Sequence, residues 1–85
     1  MSYQAPAQST QQKYIVDLSD DAGHVWHVDE PVAQGGGNTA PNPMEVLLSA
    51  LGACTTVTLQ MYANHKGWDL QTVKVDLVLD PEEPK

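Results

Sequence analysis

The stretch from Thr39 to Gly67, TAPNPMEVLLSALGACTTVTLQMYANHKG, limits the possible folds more than any other part of the chain. Its apolar residues repeat at helical rather than strand spacing. Leu47, Leu48, Leu51, Cys54, Thr58, Met61, Tyr62 and His65 fall at the three- and four-residue intervals of one helical face. Asn42 is a good N-cap, Pro43 suits the first helical position, and Glu45 can reach back to the cap. Gly67 after Lys66 supplies a C-terminal stop with a cation in the last turn. The pattern predicts one helix over residues 43–66, roughly 36 Å long at 1.5 Å per residue.

This helix lacks a polar face until Gln60. Val46, Ala50, Ala53, Val57 and Leu59 lie off the main stripe, and the polar residues among them, Ser49, Thr55 and Thr56, are small. A helix apolar nearly all round is expected to be buried. Gly52 costs about 1 kcal/mol relative to Ala inside a helix, which predicts close approach of a second backbone there. The run Val46 to Leu59 reads as too short and too rich in hydroxyls to span a bilayer.

Eighty-five residues allow one small domain, near the size at which a single core is only marginally stabilising. The net charge is −7, from eleven acidic residues against four lysines and no arginine. Such a surface is a poor partner for nucleic acid or an anionic membrane, and neither is expected. One cysteine cannot form an intrachain disulfide, and no signal-peptide pattern opens the chain, so a reducing cytoplasm is the expected setting. Asp80-Pro-Glu-Glu-Pro-Lys85 reads as a connecting loop after a strand, and the fold is expected to continue past it.

Residues 1–12 are polar and aperiodic, and a disordered arm is predicted. Residues 13–85 are then expected to form the N-terminal portion of a single domain. Lys13 to Leu18 alternates, with Tyr14, Val16 and Leu18 on one face. After the turn residues Ser19 to Gly23, His24 to Asp29 alternates again and places Trp26 and Val28 together. That is a β-hairpin with a loop of about five residues, closed by Glu30-Pro31. Gly35-Gly-Gly-Asn38 lacks the lysine of a phosphate-binding loop and the order of a dinucleotide fingerprint, so a flexible connection is expected. Beyond the helix, Val73, Val75, Leu77 and Leu79 alternate with Thr72, Lys74, Asp76 and Val78, which predicts a strand over Leu70 to Leu79. With the brief stretch Val32-Ala33-Gln34 before the glycines, the order is β-β-(β)-α-β.

Cys54 is the candidate for chemistry, although spacing alone favours a small inert hydrophobe at that position. It lies mid-helix, away from the positive end, with no basic residue within a turn to lower its pKa. Any activating group has to come from elsewhere in the chain or from a second subunit. His24 and His27 point to opposite faces of a strand and His65 ends the helix, so no metal and no cofactor are expected. Glu45 is explained first as a cap, with catalysis as the lesser reading.

The segment GGGNTAPNPMEVLLSALGACTTVTLQMYANHKGW, followed by a V-x-V strand, resembles the OsmC/Ohr family of osmotically inducible and organic hydroperoxide resistance proteins. The glycine-rich lead, the Pro-x-Pro-x-Glu helix start, Leu-Leu-x-Ala-Leu-Gly-x-Cys and the closing Tyr-Ala-x-x-Lys-Gly-Trp carry the likeness, over roughly residues 13–79 and nearest to the OsmC-like redox-protein branch. The resemblance implies an α+β fold: an N-terminal hairpin, a long buried helix carrying the cysteine, a following strand, and an intertwined homodimer around the helices. It implies a thiol peroxidase in which Cys54 attacks an organic hydroperoxide as thiolate and a thiol reductant restores it. The family's peroxidases add a resolving cysteine and an arginine, neither of which occurs in these 85 residues. Its hydroperoxide resistance members carry a glutamate directly after the helix-start proline. Met44 stands there, with Glu45 one position later, about 100° around the helix. The alternative is a non-enzymatic or truncated homodimer that keeps a small-molecule pocket near an unreactive Cys54.

Overall fold

Alternation of apolar and polar residues builds the sheet, and helical periodicity builds the one long helix. The computed structural model describes residues 2–80. Strands β1 (Ala7–Ser9), β2 (Val16–Ser19) and β3 (Val25–Val28) form an antiparallel sheet in the order β1-β2-β3. A 3-10 turn, Val32–Gln34, leads to helix α1 (Pro43–Lys66). The chain divides into two compact units, residues 1–46 and 47–85.

In the first unit the hairpin register pairs Val16 with Val28 and Leu18 with Trp26 on one face, and Asp17 with His27 on the other. Cross-strand apolar pairs of this kind are what fix a register, since a one-residue slip would turn every side chain over. Val28 is 5% exposed and anchors this small core. The five-residue loop, Asp20 to His24, is organised by Asp20. Its Oδ1 accepts the amides of Ala22 (2.9 Å) and His24 (3.0 Å), and its Oδ2 lies 2.6 Å from His24 Nδ1. The backbone bond from His24 is the main cause holding the Asp20 carboxyl below its ordinary pKa, followed by the bond to the His24 ring.

Where composition predicts a disordered arm, Ala7–Ser9 pairs with β2, Ala7 opposite Leu18 and Ser9 opposite Val16. All three residues of β1 are exposed, so the strand is held by its ladder rather than by burial. No apolar signal announced it for that reason.

Helix α1 runs the predicted length, and its end, in the second unit, is a Schellman motif. Gly67 is left-handed (φ 74°), its N–H donates to Asn64 O (3.2 Å), and Trp68 N–H donates to Ala63 O (2.8 Å). Trp68 meets the Tyr62 ring edge-on at 5.6 Å, and the Lys66 ammonium lies 5.7 Å from the centre of that ring. The expectation of a buried helix is not met within one chain. Only Gly52 and Ala63 are buried, while Leu47 is 61% and Met61 68% exposed. Within the second unit the segment after Gly67 lies against the helix, with Leu77 beside Gly52.

That segment also departs from expectation, because Leu70 to Leu79 forms no strand. Its period of two survives in burial: Val73, Val75 and Leu77 are half-buried, and Thr72, Lys74 and Asp76 are exposed. It has the pattern of a strand without a neighbour to complete the ladder among the described residues. Leu77 explains Gly52, since a Cβ built on Gly52 would lie 2.6 Å from Leu77 Cδ1. The close approach is thus a side chain, with the nearest backbone atom, Val75 O, at 3.9 Å. The ending after Asp80 lies outside the described residues.

The full helix is longer than its hydroxyl-rich apolar run. By length and composition alone it could cross a membrane, with a mean hydropathy of 1.4 over an 18-residue window.

Candidate functional site

Cys54 sits mid-helix as a free thiol, and it is exposed rather than buried. Leu51 one turn before it and Thr58 one turn after it share its side of the helix. Thr55 and Thr56 turn their hydroxyls inward, donating to Leu51 O (3.0 Å) and Gly52 O (2.8 Å).

Glu45 is engaged as the sequence predicts. Its Oε1 accepts the Asn42 N–H at 3.0 Å, and its own N–H donates to Asn42 Oδ1 at 2.8 Å, a reciprocal capping box. It stands in the first turn of α1, about two and a half turns before Cys54 along the same helix. The histidines are not gathered: His24 is taken by Asp20 and His27 lies opposite Asp17. Among the described residues no group of three or more His, Cys, Asp or Glu is placed to hold a metal.

The most elaborate polar arrangement is one that sequence periodicity does not show. Asp29 is fully buried at the end of β3. Its Oδ1 accepts the N–H groups of Glu30 (2.7 Å) and Tyr14 (3.2 Å). Its Oδ2 accepts the Thr39 hydroxyl (2.8 Å), the Thr39 N–H (3.1 Å) and the Gly37 N–H (3.2 Å). Burial pushes this carboxyl up, but the bonds from the Thr39 hydroxyl and amide, then from the Glu30 and Tyr14 amides, outweigh it. Together they hold it well below the usual carboxylate range. A buried charge is tolerable when its acceptor sites are filled in this way.

The glycine run is therefore a pinned loop and not a flexible one. Gly35 N–H donates to Val32 O, Gly36 N–H to Pro31 O and Asn38 N–H to Glu30 O, at 3.0, 3.1 and 3.0 Å. With those amides turned inward, the run has no cradle to offer a phosphate. Gly36 has no room for a side chain, as a Cβ there would lie 2.1 Å from Glu30 O and 2.6 Å from Glu30 C. Backbone cannot move aside as a side-chain tip can. Gly36→Ala is accordingly expected to lower the thermal midpoint clearly, by about 5 °C or more, whereas Gly37→Ala, whose Cβ meets Asp29 Oδ2 at 3.4 Å, shifts it little. Equal midpoints for the two variants would contradict this packing.

A family model described as OsmC-like protein matches residues 35–85, more than half of the chain. The match begins at Gly35, so the hairpin lies before it, and it contains both Glu45 and Cys54. No curated protein and no solved structure matches the chain.

Proposed function

This chain belongs to the OsmC-like protein family, and from that premise we propose that it is a thiol redox protein that reduces organic hydroperoxides through Cys54. The supporting observation is an exposed free thiol mid-helix, inside the segment that carries the family match. In the proposed reaction the Cys54 thiolate attacks the terminal oxygen of the hydroperoxide. An S–O bond forms as the O–O bond breaks, and the departing alkoxide takes a proton to leave as an alcohol. The sulfur is oxidised by two electrons to a sulfenic acid. An external thiol then attacks it, releasing water and leaving a mixed disulfide, which a second thiol reduces. Glu45, held in the capping box, keeps the helix start in place, and a direct catalytic part for it is the lesser proposal.

A second reading has its own support, because these 85 residues hold no arginine to stabilise a thiolate and no second cysteine to resolve a sulfenic acid. Under it the protein is a non-enzymatic OsmC-like dimer with a small-molecule pocket near Cys54. Titration of Cys54 with an alkylating reagent across pH 5–9 decides between the two. Rapid reaction at neutral pH supports the peroxidase, and a rate no faster than free cysteine supports the alternative.

The proposed assembly in either case is a soluble, cytoplasmic homodimer without nucleic-acid or membrane partners. Exposed apolar side chains along α1, Leu47, Leu51, Val57, Leu59 and Met61 among them, form a surface too apolar to stay open in water. Sedimentation at micromolar concentration should give twice the chain mass of 9.2 kDa. A stable monomer in that experiment removes the proposed architecture.

A further inference from the structure

A groove in the first unit, separate from the Cys54 chemistry, combines an apolar floor with one carboxylate and one aromatic wall. It encloses about 410 Å³ and is lined by Tyr14, Val16, Val28, Glu30, Gln34 and Pro43. That volume lies within the range of small-ligand sites. Val16 and Val28 are the register pair of the hairpin, and Val28 is nearly inaccessible, so the floor is part of the core.

The walls are held in place by the backbone beneath them. Tyr14 and Glu30 both donate their amides to the same oxygen of Asp29, which fixes the spacing of the two residues at the chain level. The Tyr14 ring packs over Gly35, where a Cβ would come within 3.3 Å of Cε2. Gln34 closes the 3-10 turn next to it, its N–H donating to Pro31 O at 2.9 Å. A groove whose walls are already positioned orders little more when a ligand enters.

The chemistry of the walls selects the ligand. Glu30 is the one charged residue lining the groove, in a chain of net charge −7. The Tyr14 ring adds a face that attracts cations, and the Gln34 carbonyl adds a neutral acceptor. The geometry points to a binding site for a small organic ammonium ion: an apolar body seated on Val16 and Val28, and an N–H donor head directed to Glu30. The site does not depend on Cys54 being reactive.

The test is a titration of the full chain with 2-phenylethylammonium, followed by amide chemical shifts. Parallel titrations use the neutral 2-phenylethanol and the anionic 3-phenylpropanoate. The expected result is saturable shifts at Val16, Val28 and Gln34 with the ammonium compound, and binding weaker by roughly five-fold or more for the alcohol. Glu30→Gln should remove that preference while leaving shifts elsewhere unchanged. Absence of saturation at millimolar ligand, or equal affinity for the alcohol, overturns the proposal, and the wild-type comparison decides it even if Glu30→Gln fails to fold. A groove closed by a second copy of the chain would also give no saturation, and would overturn it in the same way.

Discussion

Asp29→Ala is expected to lower the thermal midpoint by on the order of 10 °C or more, the largest stability effect of any single substitution in the first unit. The carboxylate is the common acceptor for five donors from Tyr14, Glu30, Gly37 and Thr39. Its removal leaves buried N–H groups without partners, and an unmade buried bond is more damaging than a made one is helpful. Asp29→Asn should lie between wild type and Ala. Its remaining oxygen can keep one pair of donors, but its NH₂ then faces N–H groups that also donate. Amide exchange reads the mechanism directly, with Glu30, Gly37 and Thr39 losing protection together in Asp29→Ala. If their protection were unchanged, the carboxylate would not be holding the loop. Acid should act as the substitution does. Because the folded pKa is depressed, the stabilisation is complete above the ordinary carboxylate value of about 3.9 and is lost progressively as pH falls below it. A pH series of wild type against Asp29→Asn should therefore converge at the acid end, and parallel curves would refute this assignment.

Cys54→Ser is expected to abolish reaction with an organic hydroperoxide, because no other thiol exists in the chain. In wild type the reaction should be slow and, when no reductant is present, should not cycle: one equivalent per chain gives the sulfenic acid, and about two more are taken up only if oxidation runs on to the sulfonic acid. The sulfenic acid has no second cysteine in these 85 residues with which to condense, so its fates are an external thiol or further oxidation. A second copy offers no simple rescue, since two Cys54 residues would need Cα atoms within about 7 Å. Cys54 is exposed within one chain, and the proposed dimer would cover the side of α1 that it shares with Leu51. The sequence places no cation within a turn of it, and a thiol reacts only through its thiolate fraction. Cumene hydroperoxide consumption, with sulfenic acid trapped by dimedone, measures both points. Residual activity in Cys54→Ser would place the chemistry elsewhere. Repeated turnover with an added dithiol reductant, well above the rate of free thiol, would show an activating group that these residues do not display.

The helix was legible because everything that starts and stops it is local. Asn42, Pro43, Glu45 and Gly67 act within four residues of the ends they define, and the capping box and Schellman motif follow from them. The hairpin was legible because alternation identifies a half-buried strand, and Val16 and Val28 paired as their faces required. Asp29 was not legible. Four of its five donors are main-chain N–H groups, and backbone donors carry no residue-type signal. They converge only after residues 14, 30, 37 and 39 are brought together by the turns between them. The cover of α1 was not legible for a different reason. Apolar composition states what a helix would gain by being covered, and does not supply the cover within the same chain.

The main-chain character of the donors to Asp29 has a further consequence for how this loop can be spelled. A carboxylate that grips backbone amides is indifferent to the side chains those amides carry. Within the loop, residue type matters at the aspartate that accepts, at the left-handed Gly35 (φ 94°), at the glycine at 36 that leaves room, and at the threonine at 39 whose hydroxyl takes part. Positions 14 and 30 lend only main-chain groups to the knot, so their side chains can be rewritten while the knot stays tied. The groove above it can therefore change its chemical taste from one sequence to another without the fold having to be solved again.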